Sequence, residues 1–307
     1  MAINWYPGHM HKAQREIRKI LGEIDLFIEV LDARIPYSSE NPMIAQIRGD
    51  KPCIKILNKS DLADPVITQA WLEHFKQTKN TDAIAVSAKK PASLKDIISL
   101  CRQMAPNRGE PGKPVRALIA GIPNVGKSTT INILANRIIA KTGNEPAVTK
   151  SQQRINIGDN VILYDTPGML WPKVENENSG YRLAITGAIK ETAFDLDDIA
   201  TYAADYLVEA YPDALKARYQ LDEFADNGYE TLELIGKKRG CLRAGGRVEM
   251  NKAAKILLTE LRDMQIAAIS METPAMCIAE QKEVDERLAE KAQKDAERKK
   301  QFKQKRR

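Results

Sequence analysis

Short apolar runs alternate with amphipathic stretches along the chain as far as residue 165. The apolar runs, which are rich in Ile, Val and Leu, predict β-strands at 26–31, 53–57, 83–86, 115–120 and 160–164. Apolar positions at helical spacing predict α-helices at 9–21, 66–77, 92–104 and from Lys127 onward. This alternation predicts an α/β fold, a parallel sheet with helices on both faces whose ligand lies at the carboxyl ends of the strands.

The pattern changes near residue 178, where the strand signals stop. Residues 197–211 and 247–265 carry apolar side chains at helical spacing, and three glycines interrupt the pattern between them. We therefore predict an α/β domain over 1–177 and a smaller C-terminal all-α domain over 178–280. A separate tail over 281–307 is predicted to be poorly ordered.

The basic character of the chain is concentrated in that tail. The formal net charge is +6, and residues 281–307 supply +5 of it, with 11 Lys or Arg against 6 Asp or Glu. A tail of this kind predicts a solvated, poorly ordered or helical extension that seeks a polyanion. The alternative is a solubilising end with no specific partner.

The composition is that of a globular protein, with 43% hydrophobic residues. No apolar run approaches the roughly 18 residues that span a bilayer, and the first residues lack the order of a signal peptide. The four cysteines are scattered without a CxxC pair, which favours reduced core thiols over disulfides or zinc ligands. We predict a cytoplasmic protein with no membrane partner.

Residues 121–128, Gly-Ile-Pro-Asn-Val-Gly-Lys-Ser, have the spacing of a phosphate-binding P-loop. They stand between a predicted strand and a predicted helix, so backbone N–H groups and the helix N-terminus can face a phosphate. Lys127 is expected to reach the β- and γ-phosphates and Ser128 to ligate Mg²⁺. The alternative is a glycine-rich turn without a ligand. The candidate nucleotide-binding residues of this segment are Asn124, Val125, Gly126, Lys127, Ser128 and Thr129.

The segment Asp165-Thr-Pro-Gly168 follows the last predicted strand. Its carboxylate is a candidate metal ligand, and the Gly168 N–H is available to the γ-phosphate. Many GTPases continue this motif with a Gln that orients the attacking water. Here the position is Met169, whose side chain cannot donate a hydrogen bond to water or orient it. The sequence therefore predicts slow hydrolysis until another group is supplied.

Residues 58–61, Asn-Lys-Ser-Asp, predict recognition of guanine. An ionised Asp61 can accept hydrogen bonds from the N1–H and the exocyclic amine, which adenine cannot provide. Asn58 and Lys59 would brace the loop and cover the base. A second element, Ser87-Ala88-Lys89, is similar to the segment that contacts the guanine O6. Both elements follow the P-loop in ordinary GTPases and precede it here, which predicts a circularly permuted GTPase.

Together these motifs resemble one family, the circularly permuted GTPases of the YlqF/RbgA type, over about residues 1–277. The resemblance also uses the segments 5–10, 32–36, 151–153, 165–172, 187–190 and 238–242. It implies a P-loop GTPase fold, Mg²⁺, GTP and GDP as ligands, and a monomer that assists assembly of the large ribosomal subunit. Its partner would be the precursor of that subunit with its rRNA, bound in part by the all-α domain.

The resemblance further implies roles for three residues. Thr149 would ligate Mg²⁺ and the γ-phosphate, although Ala147 and Lys150 stand where the family has Gly and Thr. His9 would be the catalytic residue, because a neutral imidazole can polarise water; the alternative is that it only starts a helix. Asn124 would help hold K⁺ against the phosphates, and the alternative is an Asn suited to a tight turn.

Three classes of function remain to be separated. In the first, GTP favours docking onto a pre-ribosomal particle and hydrolysis releases the protein. The second, a signalling or trafficking GTPase, is disfavoured because the chain carries no lipidation motif. The third is a passive RNA-binding scaffold with a weakly active nucleotide site. The intact motif residues Asp61, Lys127, Ser128 and Asp165 speak against this third class.

Overall fold

The computed structural model describes residues 8–139 and 153–305. Within them a six-stranded sheet has the order β3-β2-β1-β4-β6-β5. The strands are β1 (Leu26–Asp32), β2 (Cys53–Asn58), β3 (Thr81–Ala85), β4 (Val115–Gly121), β5 (Gln153–Asn156) and β6 (Val161–Asp165). All five predicted strands are present.

The predicted parallel sheet needs one correction at its edge. Strand β5, which was not predicted, pairs with β6 in the antiparallel direction, whereas the other pairs are parallel. Only one of its four side chains, Ile155, is buried. Such a strand carries no apolar run, so the hydrophobic pattern could not indicate it.

The strand order explains how a permuted chain builds one nucleotide site. Strand β4, which leads into the P-loop, lies between β1 and β6, and β2 lies on the other side of β1. Because these strands are parallel, their carboxyl ends share one edge of the sheet. The P-loop, the residues after β6 and the residues after β2 therefore meet at that edge, although β2 precedes β4 in the chain. The circular permutation is confirmed.

The helices follow the predicted pattern in the first half of the chain and add two short ones, α2 and α3, after β1. The first six are α1 (Gly8–Ile20), α2 (Pro36–Ser39), α3 (Pro42–Arg48), α4 (Pro65–Lys76), α5 (Ala92–Met104) and α6 (Lys127–Leu134). The later ones are α7 (Glu177–Ile185), α8 (Leu196–Ala210), α9 (Pro212–Tyr219), α10 (Gly228–Lys238), α11 (Met250–Arg262) and α12 (Pro274–Lys305). Within the two described ranges, no helix combines the length and the apolar character that crossing a membrane requires.

Alternate side chains of each strand pack on opposite faces of the sheet. On one face, residues such as Ile28 contact α5 and α6. On the other face, Phe27 packs with α1 and α3, and Leu31 packs with Trp71 and Phe75 of α4. Helices therefore cover both faces, as predicted. The four cysteines are free and buried in this core.

The all-α part shares its core with the sheet. Leu183, Leu207, Leu232 and Leu257 of α7, α8, α10 and α11 belong to the same hydrophobic cluster as Ile119 of β4. The predicted boundary at 177 coincides with the start of α7, but the packing is continuous across it. The two parts consequently stabilise each other.

Helix α12 gives the basic tail a helical form rather than a poorly ordered one. It begins at Pro274, so the predicted boundary at 281 falls inside it, and it continues to Lys305. Its first turns are anchored by buried Cys277 and Val284. Farther along, side chains are almost all exposed up to residue 299, and i,i+4 ion pairs such as Lys294 with Glu290 support the helix.

Candidate nucleotide site

The Asn-Lys-Ser-Asp motif is bound directly to the P-loop. Asn58, the last residue of β2, donates from Nδ2 to the carbonyl of Val125 at 2.7 Å. Lys59, whose backbone is left-handed with φ of 59°, donates from Nζ to the carbonyl of Asn124 at 2.7 Å. The structure therefore brings the predicted base-reading and phosphate-binding motifs into contact.

Asp61 lies beside the Ser-Ala-Lys element, the second predicted guanine-contacting segment. Its Oδ1 accepts from the Ser87 hydroxyl at 2.6 Å, and its Oδ2 is 3.0 Å from the Lys89 Nζ. Burial raises the pKa of Asp61, but hydrogen bonds from Ser87 and Lys89 outweigh it and hold the pKa below its ordinary value. Asp61 is therefore ionised at neutral pH, which acceptance from guanine requires. Ala88 is exposed next to this pair.

A carboxylate that the sequence analysis did not assign supports this end of the site. Asp32, at the end of β1, accepts from the Lys59 Nζ at 2.9 Å and from the Arg34 Nη2 at 2.7 Å. Burial raises its pKa, and the two cations overcome that effect and hold the pKa well below the ordinary value. Its position offered a signal, since β1 lies between β2 and β4 and a charged residue ends it.

The P-loop geometry accounts for its glycines. Gly126 has φ of 88°, and a Cβ there would collide with the Nδ2 of Asn58. Gly168 lies against the loop, because a Cβ on it would be 3.2 Å from the Pro123 nitrogen. Ser128 and Thr129 occupy the first turn of α6 and are partly exposed. Their place at a helix N-terminus suits phosphate binding.

Lys127 and Asp165 form a buried ion pair at the phosphate end. The Lys127 Nζ donates to the Asp165 Oδ1, and both side chains are almost fully buried. Burial lowers the pKa of Lys127 and raises the pKa of Asp165. The Asp165 Oδ2 is also buried and has no hydrogen-bond partner within the described residues.

These residues fit a magnesium ion. Mg²⁺ prefers oxygen ligands, and the unpartnered Asp165 Oδ2 with the Ser128 hydroxyl supplies a carboxylate and a hydroxyl at the phosphate end. When bound there, Mg²⁺ would neutralise charge on the β- and γ-phosphates. Thr149, the third predicted ligand, lies outside the described residues.

The structure places the Met169 side chain in the hydrophobic core. Its side chain is 1% exposed and packs in the cluster that contains Ile17 of α1 and Phe27 of β1. Its N–H donates to the Gly121 carbonyl at 3.1 Å. The predicted catalytic residue, His9, belongs to α1, and its side chain lies outside the described part of the structure.

Asn124 connects the P-loop to the all-α part. It has φ of 62°, and its Nδ2 donates to the carbonyl of Gly187, just after α7, at 2.7 Å. The left-handed backbone agrees with the tight-turn interpretation of this residue. Its proposed part in holding K⁺ stays a prediction.

Comparisons with known proteins agree with this geometry. Residues 116–225 match a family described as 50S ribosome-binding GTPase. The protein named ribosome biogenesis GTPase A from Priestia megaterium is 44% identical over 283 residues, which cover 90% of this chain and 98% of that protein. A GDP-bound YlqF from T. maritima has a TM-score of 0.61 at 24% identity, covering 85% of this chain and all of that one. A GNP-bound YlqF from T. maritima has a TM-score of 0.59 at 25% identity, covering 86% and 98%.

The identity to the Priestia megaterium protein extends over both the sheet and the all-α part, because it covers 90% of the chain. The P-loop, the Asp165 segment and the Asn58–Asp61 motif meet at one edge of a sheet in the order of a permuted GTPase. The chain belongs to the ribosome biogenesis GTPase A (YlqF/RbgA) family, and it is a GTP-hydrolysing ribosome assembly factor.

Proposed function

We propose that the GTP-bound protein docks on a precursor of the large ribosomal subunit and that hydrolysis releases it. The observation that carries this proposal is the burial of Met169, the residue after Gly168, in the hydrophobic core. The residue at this position cannot orient the attacking water, so the site hydrolyses GTP slowly until a partner brings such a residue to it. The description of the matching family, 50S ribosome-binding GTPase, supports the large subunit as that partner.

We further propose that His9 is the residue that the particle brings to the site. It lies in α1, and α1 packs through Ile17 in the same cluster as Met169. A particle that moves α1 therefore moves a helix that packs against Met169, the residue after Gly168. A neutral imidazole there would polarise the attacking water.

The remaining site residues have proposed roles in holding the nucleotide and its ions. Asp61 reads guanine with support from Ser87, Ala88 and Lys89, and Lys127 binds the β- and γ-phosphates. Ser128, Thr149 and Asp165 would hold Mg²⁺, and Gly168 would donate its N–H to the γ-phosphate. K⁺ near Asn124 would add positive charge beside the phosphates. Asn58, Lys59, Val125, Gly126 and Thr129 would complete the pocket.

Two exposed basic features are suited to rRNA. The turn after α10 is closed by an Arg243 N–H to Arg247 carbonyl hydrogen bond of 2.8 Å, and both side chains are exposed, as is that of Lys238. The exposed part of α12 leads into the most basic segment of the chain. Clustered Lys and Arg side chains of this kind bind phosphate backbones. We place the protein in the cytoplasm as a monomer.

Co-sedimentation with purified ribosomal particles tests the proposal. Wild type and His9→Ala should both bind large-subunit precursors in the presence of a non-hydrolysable GTP analogue and bind weakly with GDP or without nucleotide. With GTP, wild type should hydrolyse and dissociate, and His9→Ala should remain bound because its stimulated hydrolysis is lost.

Other outcomes contradict the proposal. Equal particle binding in all three nucleotide states would indicate a passive scaffold. No binding to particles in any state would favour a signalling or trafficking GTPase. Equal stimulated rates for the two proteins would return His9 to a structural role in α1.

A further inference from the structure

A buried asparagine outside the nucleotide motifs reaches the phosphate end of the site. Asn41 precedes α3, and its Oδ1 accepts from the Met43 N–H at 3.0 Å as an N-cap. Capping alone does not require burial, since N-caps lie at helix ends that are commonly exposed. Asn41 is nevertheless only 1% exposed. The other polar atom of its side-chain amide, Nδ2, has a different partner.

That second atom, the side-chain nitrogen Nδ2, holds the carbonyl of the residue that follows Gly168. The Asn41 Nδ2 donates to the Met169 carbonyl at 2.8 Å. From the other side, the Met169 N–H donates to the Gly121 carbonyl at 3.1 Å, and the Met169 side chain is fixed in the core. The residue after Gly168 is therefore held at its N–H, its carbonyl and its side chain.

Asn41 is itself attached to the sheet. Its backbone N–H donates to the Glu29 Oε1 at 2.8 Å, and the Glu29 Oε2 accepts from the Lys55 Nζ at 2.6 Å. Glu29 and Lys55 are direct neighbours across the β1–β2 pair, and both are buried. A side chain that is held this firmly can transmit a fixed position to the carbonyl that it contacts.

We propose that Asn41 is a positioning residue that sets how strongly the site prefers GTP to GDP. The proposal rests on the assignment of the Gly168 N–H to the γ-phosphate made above. Gly168 has little room to move, because its Cα lies close enough to Pro123 that a Cβ would be 3.2 Å away. By holding the Met169 carbonyl, Asn41 fixes the residue that is bonded to Gly168, and so aims the Gly168 N–H at the γ-phosphate. GDP has no γ-phosphate, so its affinity does not depend on this aim.

The substitution Asn41→Ser separates aiming from capping. Serine is as good an N-cap as asparagine, but its hydroxyl is too short to keep the contact with the Met169 carbonyl. Calorimetric titration of the full-length variant should show that the dissociation constant for a non-hydrolysable GTP analogue rises about five- to tenfold. This is the effect expected when one buried hydrogen bond, from the Gly168 N–H to the γ-phosphate, is lost. The dissociation constant for GDP should stay within about twofold of wild type.

A second variant and a control guard against loss of folding. Asn41→Asp keeps the size and the acceptor for Met43 but places a carboxylate oxygen against the Met169 carbonyl. It should therefore raise the ratio of the dissociation constant for the GTP analogue to that for GDP by more than Asn41→Ser does. Asn227 is the N-cap of α10, where it accepts from the Glu230 N–H, and it lies outside the nucleotide site. Asn227→Ser should leave both affinities unchanged.

Gly168→Ala distinguishes failure of the proposal from failure of the assignment beneath it. If Gly168→Ala raises the ratio of the two dissociation constants and neither Asn41 variant does, Asn41 has no positioning role. If the Asn41 variants weaken both nucleotides equally, Asn41 only supports the fold, and the proposal is again overturned. An unchanged ratio in Gly168→Ala would overturn the assignment of Gly168 to the γ-phosphate.

Discussion

Two lysine–carboxylate pairs lie at opposite ends of the nucleotide site, and their surroundings differ. At the base-reading end, Lys89 is 70% exposed and its partner Asp61 is 20% exposed. At the phosphate end, Lys127 is 6% exposed and Asp165 is fully buried. The chemistry of the two pairs is the same, but water screens only the first.

The difference indicates how each end meets its ligand. An exposed pair contributes little to stability, so guanine can replace Lys89 on Asp61 at small cost. A buried pair is held together because neither charge has water to return to. Lys127 can leave Asp165 only when phosphate takes the lysine and another cation takes the carboxylate. The phosphate end therefore couples nucleotide binding to stability, and the base-reading end does not.

Lys127→Met is the strongest test of this comparison. It keeps the apolar stem but leaves Asp165 buried without a cation, which should lower the free energy of unfolding by about 3–5 kcal/mol. The affinity for GTP and GDP should also fall by roughly 100-fold, since charge-assisted hydrogen bonds to two phosphates are lost.

The matched substitution Lys89→Met measures the exposed pair. It should change the free energy of unfolding by less than about 1 kcal/mol. Denaturant unfolding without nucleotide measures the free energy of unfolding of both variants, and calorimetric titration measures their nucleotide affinity. Equal losses of stability in the two variants would contradict the proposed difference between the ends.

The sequence indicated the candidate site residues, but it did not indicate all of the residues that hold them in place. Motifs such as 58–61 and 121–128 were recognisable because the ligand fixes their residue types and spacing. Asp32 and Asn41 contact residues far along the chain, Lys59 and Met169, and no local pattern encodes such contacts. The position of Asp32 at the end of a strand was a signal, but its contact partners and those of Asn41 came only from the structure.

The fold, like the site, was predicted where a local sequence pattern exists and missed where it does not. Strands and helices with strong periodicity were predicted to within a few residues. Strand β5 was missed because it buries one side chain, and α12 was read as a tail because charge dominates its composition. Its ordered start depends on Glu280, which pairs with the buried Arg182 of α7 at 2.6 Å, a contact that composition does not reveal.

Asp61→Asn tests the base-reading end. The variant loses the charge-assisted pairing with the guanine N1–H and exocyclic amine, so GTP affinity should fall by about 3 kcal/mol, or roughly 100-fold. Affinity for xanthosine triphosphate should rise relative to GTP, because its C2 carbonyl can accept from the new amide. The free energy of unfolding without nucleotide should hardly change, in contrast to Lys127→Met. Competition titration with the two nucleotides checks the first result, and ATP binding as tight as GTP in wild type would refute the assignment.

Asp32→Asn should have a smaller effect on nucleotide affinity than Lys127→Met or Asp61→Asn, because Asp32 is proposed to act on guanine only through Lys59. The isosteric amide no longer attracts Lys59 and Arg34, and one charged hydrogen bond is worth about 1.5 kcal/mol. Affinity for GTP and GDP should therefore fall together by about tenfold, with no change in preference for guanine over xanthine.

The pH dependence identifies the charge of Asp32 as the cause. Its pKa is held below the ordinary value in the folded protein, so its contribution to stability is present above the unfolded pKa and is lost as the pH falls toward the folded pKa. The difference in free energy of unfolding between wild type and Asp32→Asn should be constant from about pH 8 to pH 5 and shrink below about pH 4. Asp25, beside the opposite end of β1, pairs with Arg108 at 3.0 Å, and Asp25→Asn should leave nucleotide affinity unchanged. If Asp32→Asn also bound both nucleotides like wild type, Lys59 would hold its position through the Asn124 carbonyl alone.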